Sequence, residues 1–422
     1  MTLKFKKSSL VGILVIYYML MESAFPFRNN SNMVAFFYWT KFIVAIMVIV
    51  YAFVKKRNVK ELKDMRLISK KLRPYMIFPW IVILIYSVII WLSQHTATPY
   101  ITRGLSTIIS NVIPVLFGFA LVELYGKRIL KLIIVAVGLM TITNYIMGCV
   151  VNGPSFIIQL FNIFQEESII LKYKELHELA YISGLILIYY FLKKDYKIDK
   201  FWILIIGACF FFAWKRIGLL ALATALLFYM IVEKMSNKSK KFDIYFGAFL
   251  AIIICLVYVA LCTSNELTAI LDSFGINMMG RNILYNYFGK FCDFSLIYPG
   301  RGIGFVSRQF NYITIEDVGF VMYQLKQGLH NDLMCMYIEL GMILFIIWLF
   351  YQLLYIPRKI NRYFGTRTAL FCFSLIIFNF VTYTTDNTLR YFVFQTVYIV
   401  LVSILCYDGK TQKDMVLKDI PL

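Results

Sequence analysis

Ile244-Tyr-Phe-Gly-Ala-Phe-Leu-Ala-Ile-Ile-Ile-Cys-Leu-Val-Tyr-Val-Ala-Leu-Cys262 contains neither a charge nor a proline. A helix of this length reaches across about 28 Å, close to the hydrocarbon thickness of a bilayer. The same kind of run recurs on both sides of it. Twelve are read, near Ser9–Met21, Val34–Val54, Tyr75–Ser93, Gly104–Tyr125, Ile129–Val151, Leu179–Leu192, Phe201–Ala213, Ile217–Val232, Ile244–Cys262, Leu333–Ile356, Thr368–Thr384 and Tyr391–Cys406. The seventh and eighth are joined only by Trp214, Lys215 and Arg216, and are read as two full spans rather than a re-entrant pair. Over the 422 residues, 60% are apolar and 16% charged. A water-soluble globule carries about 25% charged residues, so composition excludes one. The expectation is an all-α polytopic membrane protein, one domain over 1–422, with no repeat and no separate soluble domain.

The formal charge of +20 is a topology signal. Alternate connections starting at the N-terminus hold 30 Lys and Arg against 12 in the opposite set, which makes the first set cytoplasmic. Both termini then lie inside, and the dense cluster Lys55–Arg73 anchors an inner loop. No nucleic-acid partner is expected. Lys4, Lys6 and Lys7 ahead of an apolar stretch resemble a signal peptide, but the stretch lacks a small-residue cleavage site and is read as an uncleaved first helix.

Working outward from Cys262, the next connection runs to Asp332, about 70 residues on the outer side. A loop of that length is rarely idle. Thr263-Ser-Asn-Glu266 is a capping-box pattern ahead of Leu267, Ile270 and Leu271, so a short helix is predicted there. Ile283, Leu284, Tyr287, Phe288, Phe291 and Phe294 recur at spacings of three and four and predict a second helix with an aromatic face, lying at the interface or over a cavity. Tyr298-Pro-Gly-Arg-Gly-Ile-Gly-Phe305 is a glycine-rich turn. It follows no strand and has no Lys-Ser/Thr ending, so the nucleotide-binding fingerprints do not apply. A plain tight turn and a ligand loop, with Gly302 and Gly304 admitting a close backbone approach, both stand.

The three histidines, His95, His177 and His330, fall in outer connections without metal-ligand spacing. His330 opens the tenth span, where the large loop re-enters the membrane. Arg216 sits at the outer mouth of the eighth span beside Lys215, and an arginine at a membrane boundary is a functional candidate or a snorkelling residue. Arg281 is next, and Arg301 and Arg308 lie in and after the glycine turn. Guanidinium forks match phosphate oxygens, and an imidazole moves protons near neutral pH. Arginines with one histidine at the outer boundary suit a lipid-linked phosphate or pyrophosphate with a proton transfer beside it.

The eight cysteines read as small apolar residues, Cys262 with Cys292 being the one conceivable outer disulfide. Glu22, Glu123, Glu339 and Asp386 are the few acids near spans, which argues against a proton-driven carrier.

Gly280-Arg281-Asn-Ile-Leu-Tyr285, then Gly302-Ile-Gly304-Phe, then Gly328-Leu-His330-Asn331 leading into Glu339-Leu-Gly341, late in a chain of about twelve spans, resembles the polysaccharide polymerase and O-antigen ligase superfamily. The resemblance implies a GT-C-like membrane glycosyltransferase in the bacterial inner membrane, using glycans on polyprenyl pyrophosphate at its outer face. It implies that Arg216 and Arg281 bind pyrophosphate and that His330 is the base or positions the acceptor hydroxyl. Asn331, Arg301, Arg308 and Lys215 become candidates for contacting substrate, as do Tyr285 and Tyr287, which stand where a Trp is frequent in the ligases. No metal and no cofactor is implied. The partners implied are lipid-linked repeat units, membrane lipid and a chain-length regulator protein. The function expected is a polymerase of O-antigen or capsule repeat units. The rivals are a ligase with a lipid A-core acceptor and, in another class, a flippase for the lipid-linked unit.

Overall fold

The computed structural model describes residues 7–22, 31–55, 59–153, 176–193, 196–213, 215–235, 237–275, 278, 280–324 and 328–418. Among these, every regular element is helical. Nine helices are long and apolar enough to cross a membrane, and Ser8–Leu20 and Lys200–Phe212 are shorter apolar helices. The chain is thus an all-α, membrane-embedded protein of the polytopic kind. The connection Asn152 to Glu178 lies largely outside the described residues, as do Trp214, Lys4 and Lys6.

In chain order the helices are α1 Lys7–Leu20, α2 Ser31–Val54, α3 Lys60–Ser93, α4 Thr98–Tyr125, α5 Arg128–Asn152, α6 His177–Lys193, α7 Tyr196–Phe212, α8 Arg216–Glu233 and α9 Asn237–Thr263. The long connection after α9 adds α10 Glu266–Ser273, α11 Arg281–Gly289, α12 Phe305–Gln309 and α13 Ile315–Gln324. The chain closes with α14 Asp332–Phe350, α15 Ile356–Phe364, α16 Thr366–Tyr383 and α17 Phe392–Lys418. The apolar runs fall on these helices, with two departures: the tenth run, Leu333–Ile356, covers α14, a π-helical turn Tyr351–Tyr355 and the start of α15, and α3 starts fifteen residues before its run, because Lys60 to Arg73 continue the helix past the apolar stretch.

Two compact units divide the chain: Met1–Arg73 with Ile113–Leu227 and Tyr391–Leu422, and Pro74–Val112 with Phe228–Arg390. In the first unit α1 packs on α5, α6 on α7, and α17 on α6, around Phe117, Phe119, Tyr181 and Phe394. Its acids are paired: Glu22 accepts from the buried Lys41, which lies over the Tyr38 ring at 4.9 Å, and Glu123 accepts from Arg73 at 2.7 Å. Arg73 and Arg66 thereby tie the basic start of α3 to α4. On α2 the apolar side chains of Ile43, Met47 and Val50 are exposed at helical spacing. A row of that kind is stable only against lipid.

The second unit packs α9 against α14 and α16, with α11 lying on α9. Tyr337, Phe345, Phe373 and Phe378 fill its core. This long connection builds a core of its own: Leu284, Tyr285, Tyr287 and Phe288 on α11 close over Cys262, Val306, Ile313, Leu329, Met334 and Ile338. The aromatic face of α11 therefore points into protein. α10 forms where the capping pattern predicted it, although Asn265, at φ 66°, accepts from the Thr268 hydroxyl and caps no backbone amide, while Ser264 Oγ accepts from Glu266 N at 3.5 Å. Cys262 and Cys292 are free thiols.

Candidate functional site

The glycine-rich turn is inserted into a break in α14. Gly341 has φ 71° and ψ 174° inside that helix, which frees the carbonyls preceding it. The turn takes them up: Arg301 N donates to Ile338 O at 3.1 Å, Gly302 N to Glu339 O at 2.9 Å, and Met342 N donates back to Tyr298 O at 3.1 Å. A Cβ on Gly341 would meet the Pro299 carbonyl carbon at 2.3 Å, and one on Gly304 would meet Gly104 N at 2.5 Å. These glycines serve chain-to-chain contact, and the amides of Arg301 and Gly302 are bonded to helix carbonyls rather than offered to a ligand. Of the two readings left open for the turn, this geometry is the tight structural one.

Asn331 caps α14, its Oδ1 accepting from Met334 N at 2.9 Å, while its Nδ2 donates to Tyr258 Oη at 3.2 Å. Asn331 is fully buried, so its amide fixes the helix start and ties it to α9. His330 is pushed into the left-handed region at φ 49°. A non-glycine residue held there stores roughly 1–3 kcal/mol of strain, a feature that clusters at functional positions. Its ring is a quarter exposed, with Nδ1 3.5 Å from Oδ1 of Asp386, a fully buried carboxylate that also accepts from Asn387 N at 2.8 Å. A proton on Nδ1 faces that carboxylate and leaves the Nε2 lone pair for a substrate, the arrangement of an oriented general base.

Beside this pair stands a second polar cluster. Arg390 Nη2 donates to Cys335 Sγ at 2.9 Å and lies 3.9 Å from Glu339 Oε1, while Nη1 donates to the Ser307 hydroxyl. Glu339 Oε1 accepts from Val306 N at 3.0 Å, and Asp332 Oδ2 accepts from Leu389 N at 2.7 Å. Burial works against the Arg390 charge, but Cys335, Glu339 and Asp332 outweigh it and hold the guanidinium above its ordinary range. This network clamps the connection between α16 and α17 onto α14, and so fixes Asp386 against His330.

Arg281 opens α11 after Gly280, which has φ 78°, and acts on the phenol of Tyr285 one turn on. Tyr285 is buried, and burial, reinforced by the neighbouring Cys262 thiol, pushes its hydroxyl up to about 12. The Tyr287 hydroxyl accepts from Gln309 Nε2 at 2.9 Å. Both tyrosines are core residues of the loop and have no ring face free for a sugar. Arg308 donates to Tyr312 Oη at 3.1 Å and lies over that ring. Arg301 donates from Nε to Phe291 O at 3.0 Å and lines a cavity of about 550 Å³.

In the first unit, Arg216 begins α8 and is exposed, whereas Lys215 is buried with Nζ 3.4 Å from His177 Nε2. Glu178, next to that histidine, accepts from Val393 N and Phe394 N. Among the described residues no group of three or more His, Cys, Asp or Glu is placed to hold a metal ion.

Asp386, Asp332 and Arg390 are the residues that sequence reasoning passed over. The signal for Asp386 and Arg390 was the polar run Asp386-Asn-Thr-Leu-Arg390 between two apolar helices, 56 residues from His330, and Asp332 stands two residues after that histidine. No family model matches the chain, and no curated protein matches it.

Proposed function

We propose that the protein is a polysaccharide polymerase of the bacterial inner membrane, transferring a glycan from polyprenyl pyrophosphate to the end sugar of another lipid-linked repeat unit. The observation that supports this reading is the His330–Asp386 pair at the foot of the large loop, a base held by a buried carboxylate. In this mechanism the acceptor hydroxyl oxygen attacks the anomeric carbon, its proton passes to His330 Nε2, and the carbon–oxygen bond to pyrophosphate breaks. The electron pair leaves with the phosphate. Asp386 stabilises the imidazolium as it forms. Direct attack inverts the anomeric centre. Arg281 receives the charge that grows on the leaving pyrophosphate, a bidentate task that suits arginine, and the family resemblance gives Arg216 the same task. The reading includes twelve spans, a GT-C-like architecture, both termini in the cytoplasm and the site on the outer face. Its partners are lipid-linked repeat units, membrane lipid and a chain-length regulator.

The test is glycan length in a deletion strain carrying His330→Ala, Arg216→Ala or Arg281→Ala at wild-type protein levels. Single repeat units attached to the acceptor are expected in each case. Complete loss of attached glycan on deletion would assign a ligase instead, and long polymer in all three variants would refute the site.

A further inference from the structure

The cavity of about 550 Å³ lies outside the His330 cluster, in the second unit, where the α3–α4 connection meets the outer loop. Its wall has two parts. Gln94, His95 and Thr96 supply polar groups from the connection, and Arg301 faces them from the glycine turn. Gln94 Nε2 donates to Gly300 O at 3.0 Å, which fixes the connection against the turn. His95 is left-handed at φ 48° and exposed, so its ring stands clear of the backbone. The rest of the wall is aromatic: Tyr100 is stacked on both Phe305 and Tyr312, with centroids 5.5 and 5.8 Å apart, and Phe291 meets Phe305 edge-on at 5.5 Å. Tyr100 Oη donates to Gln309 Oε1 at 2.7 Å, which locks the ring in place.

The Arg301 guanidinium interacts with the Tyr298 hydroxyl and lies over the Phe305 ring at 6.0 Å. Nε is bonded to Phe291 O, and no ion pair to a carboxylate satisfies its two terminal nitrogens among the described residues. A guanidinium oriented by its Nε presents its remaining edge as a fork, which matches a carboxylate bidentately. Rigid aromatic rings beside amide and hydroxyl groups suit the apolar faces and hydroxyl edges of a pyranose. The volume lies within the range of ordinary ligand sites.

We infer that this cavity is a subsite for an acidic sugar of the glycan, with Arg301 holding the sugar carboxylate and the aromatic wall of Tyr100, Phe291 and Phe305 packing against its ring. The inference rests on the reading of the protein as one that handles a glycan, but it does not involve the His330 step. A repeat unit bearing a uronic acid would be selected here over its neutral counterpart.

The experiment uses the full-length protein in lipid nanodiscs, with binding read by calorimetry. The probes are glucuronyl, galacturonyl and mannuronyl disaccharides, the neutral hexose counterpart of each, and inorganic phosphate. At least one acidic disaccharide is expected to bind tenfold or more tightly than its neutral twin and than phosphate. Arg301→Gln should erase that preference. Ala97→Glu, which adds a carboxylate at an exposed lining position and leaves the packing intact, should weaken the acidic ligand tenfold without affecting the neutral one. His330→Ala should abolish polymer formation and leave this binding unchanged, so failure of the enzymatic reading and failure of the subsite are separable. Equal binding of acidic and neutral sugars, binding of phosphate as tight as that of the best sugar, or binding of no probe would overturn the inference.

Discussion

Gly341→Ala should destabilise the second unit more than any other single methyl group added to it. The added carbon would sit 2.3 Å from Pro299 C, 2.5 Å from Tyr298 O and 2.6 Å from Gly300 N, all backbone atoms that cannot rotate away. The break in α14 must then close or the turn must withdraw. Withdrawal forfeits the three turn-to-helix hydrogen bonds, about 1 kcal/mol each, and alanine at φ 71° costs a further 1–2 kcal/mol, roughly. The total of about 4–5 kcal/mol corresponds to a fall in melting temperature of roughly 8–20 °C for a domain of some 200 residues. The assay is thermal unfolding of the detergent-purified protein followed by size-exclusion fluorescence. Gly207→Ala is the control, because nothing lies within 4 Å of its added carbon and its helix is regular. A Gly341→Ala protein that melts within about 2 °C of wild type would refute the account of the turn as a backbone splice.

Other perturbations test the site and its supports. Asp386→Asn keeps the shape but removes the charge facing Nδ1, and should lower the chain-extension rate by about 10²–10⁴-fold while leaving glycan binding intact; initial rates against substrate concentration would show it. Arg390→Ala leaves Glu339 and Asp332 buried without a counter-charge and should cost about 3 kcal/mol, read as lost thermal stability. Burial, helped by Asp293, pushes the Cys292 thiol from an ordinary 9.0 up to about 12. The folded protein should therefore react with maleimide at that cysteine about 10³-fold more slowly than an ordinary thiol, as mass spectrometry of labelled peptides would measure. The same sign makes stability fall at high pH, since the neutral forms of Cys292 and Tyr285 are the ones the fold holds.

How much of this was readable in advance depended on the range of the interaction. The helices were legible because lipid imposes long apolar runs, and Ile244–Cys262 lies wholly within α9. The start of α3 was not, since Lys60 to Arg73 are held helical by contacts such as Arg73 with Glu123 that hydropathy does not register. His330 and Arg281 could be singled out by type and place. The partner of His330 could not, because a carboxylate 56 residues later reaches it only through the clamp of Arg390 on α14. Tyr285 and Tyr287 looked like ring-stacking or interfacial residues, and periodicity alone does not tell lipid from protein. Their burial follows from the loop folding over Leu329 and Met334, which no local pattern announces. The glycine turn was recognised as a turn, yet its partner was the break at Gly341, and both halves of that seam are glycines whose meaning emerges only when they meet.

The most direct test of the central claim is chain extension by purified protein in proteoliposomes, supplied with polyprenyl-pyrophosphate-linked repeat unit and no other enzyme. The account predicts a ladder of lengthened glycans with release of polyprenyl pyrophosphate, abolished by His330→Ala and strongly slowed by Asp386→Asn. Wild-type protein that folds and binds the lipid-linked unit yet releases no pyrophosphate lipid, or a His330→Ala protein that extends chains at the wild-type rate, would contradict it.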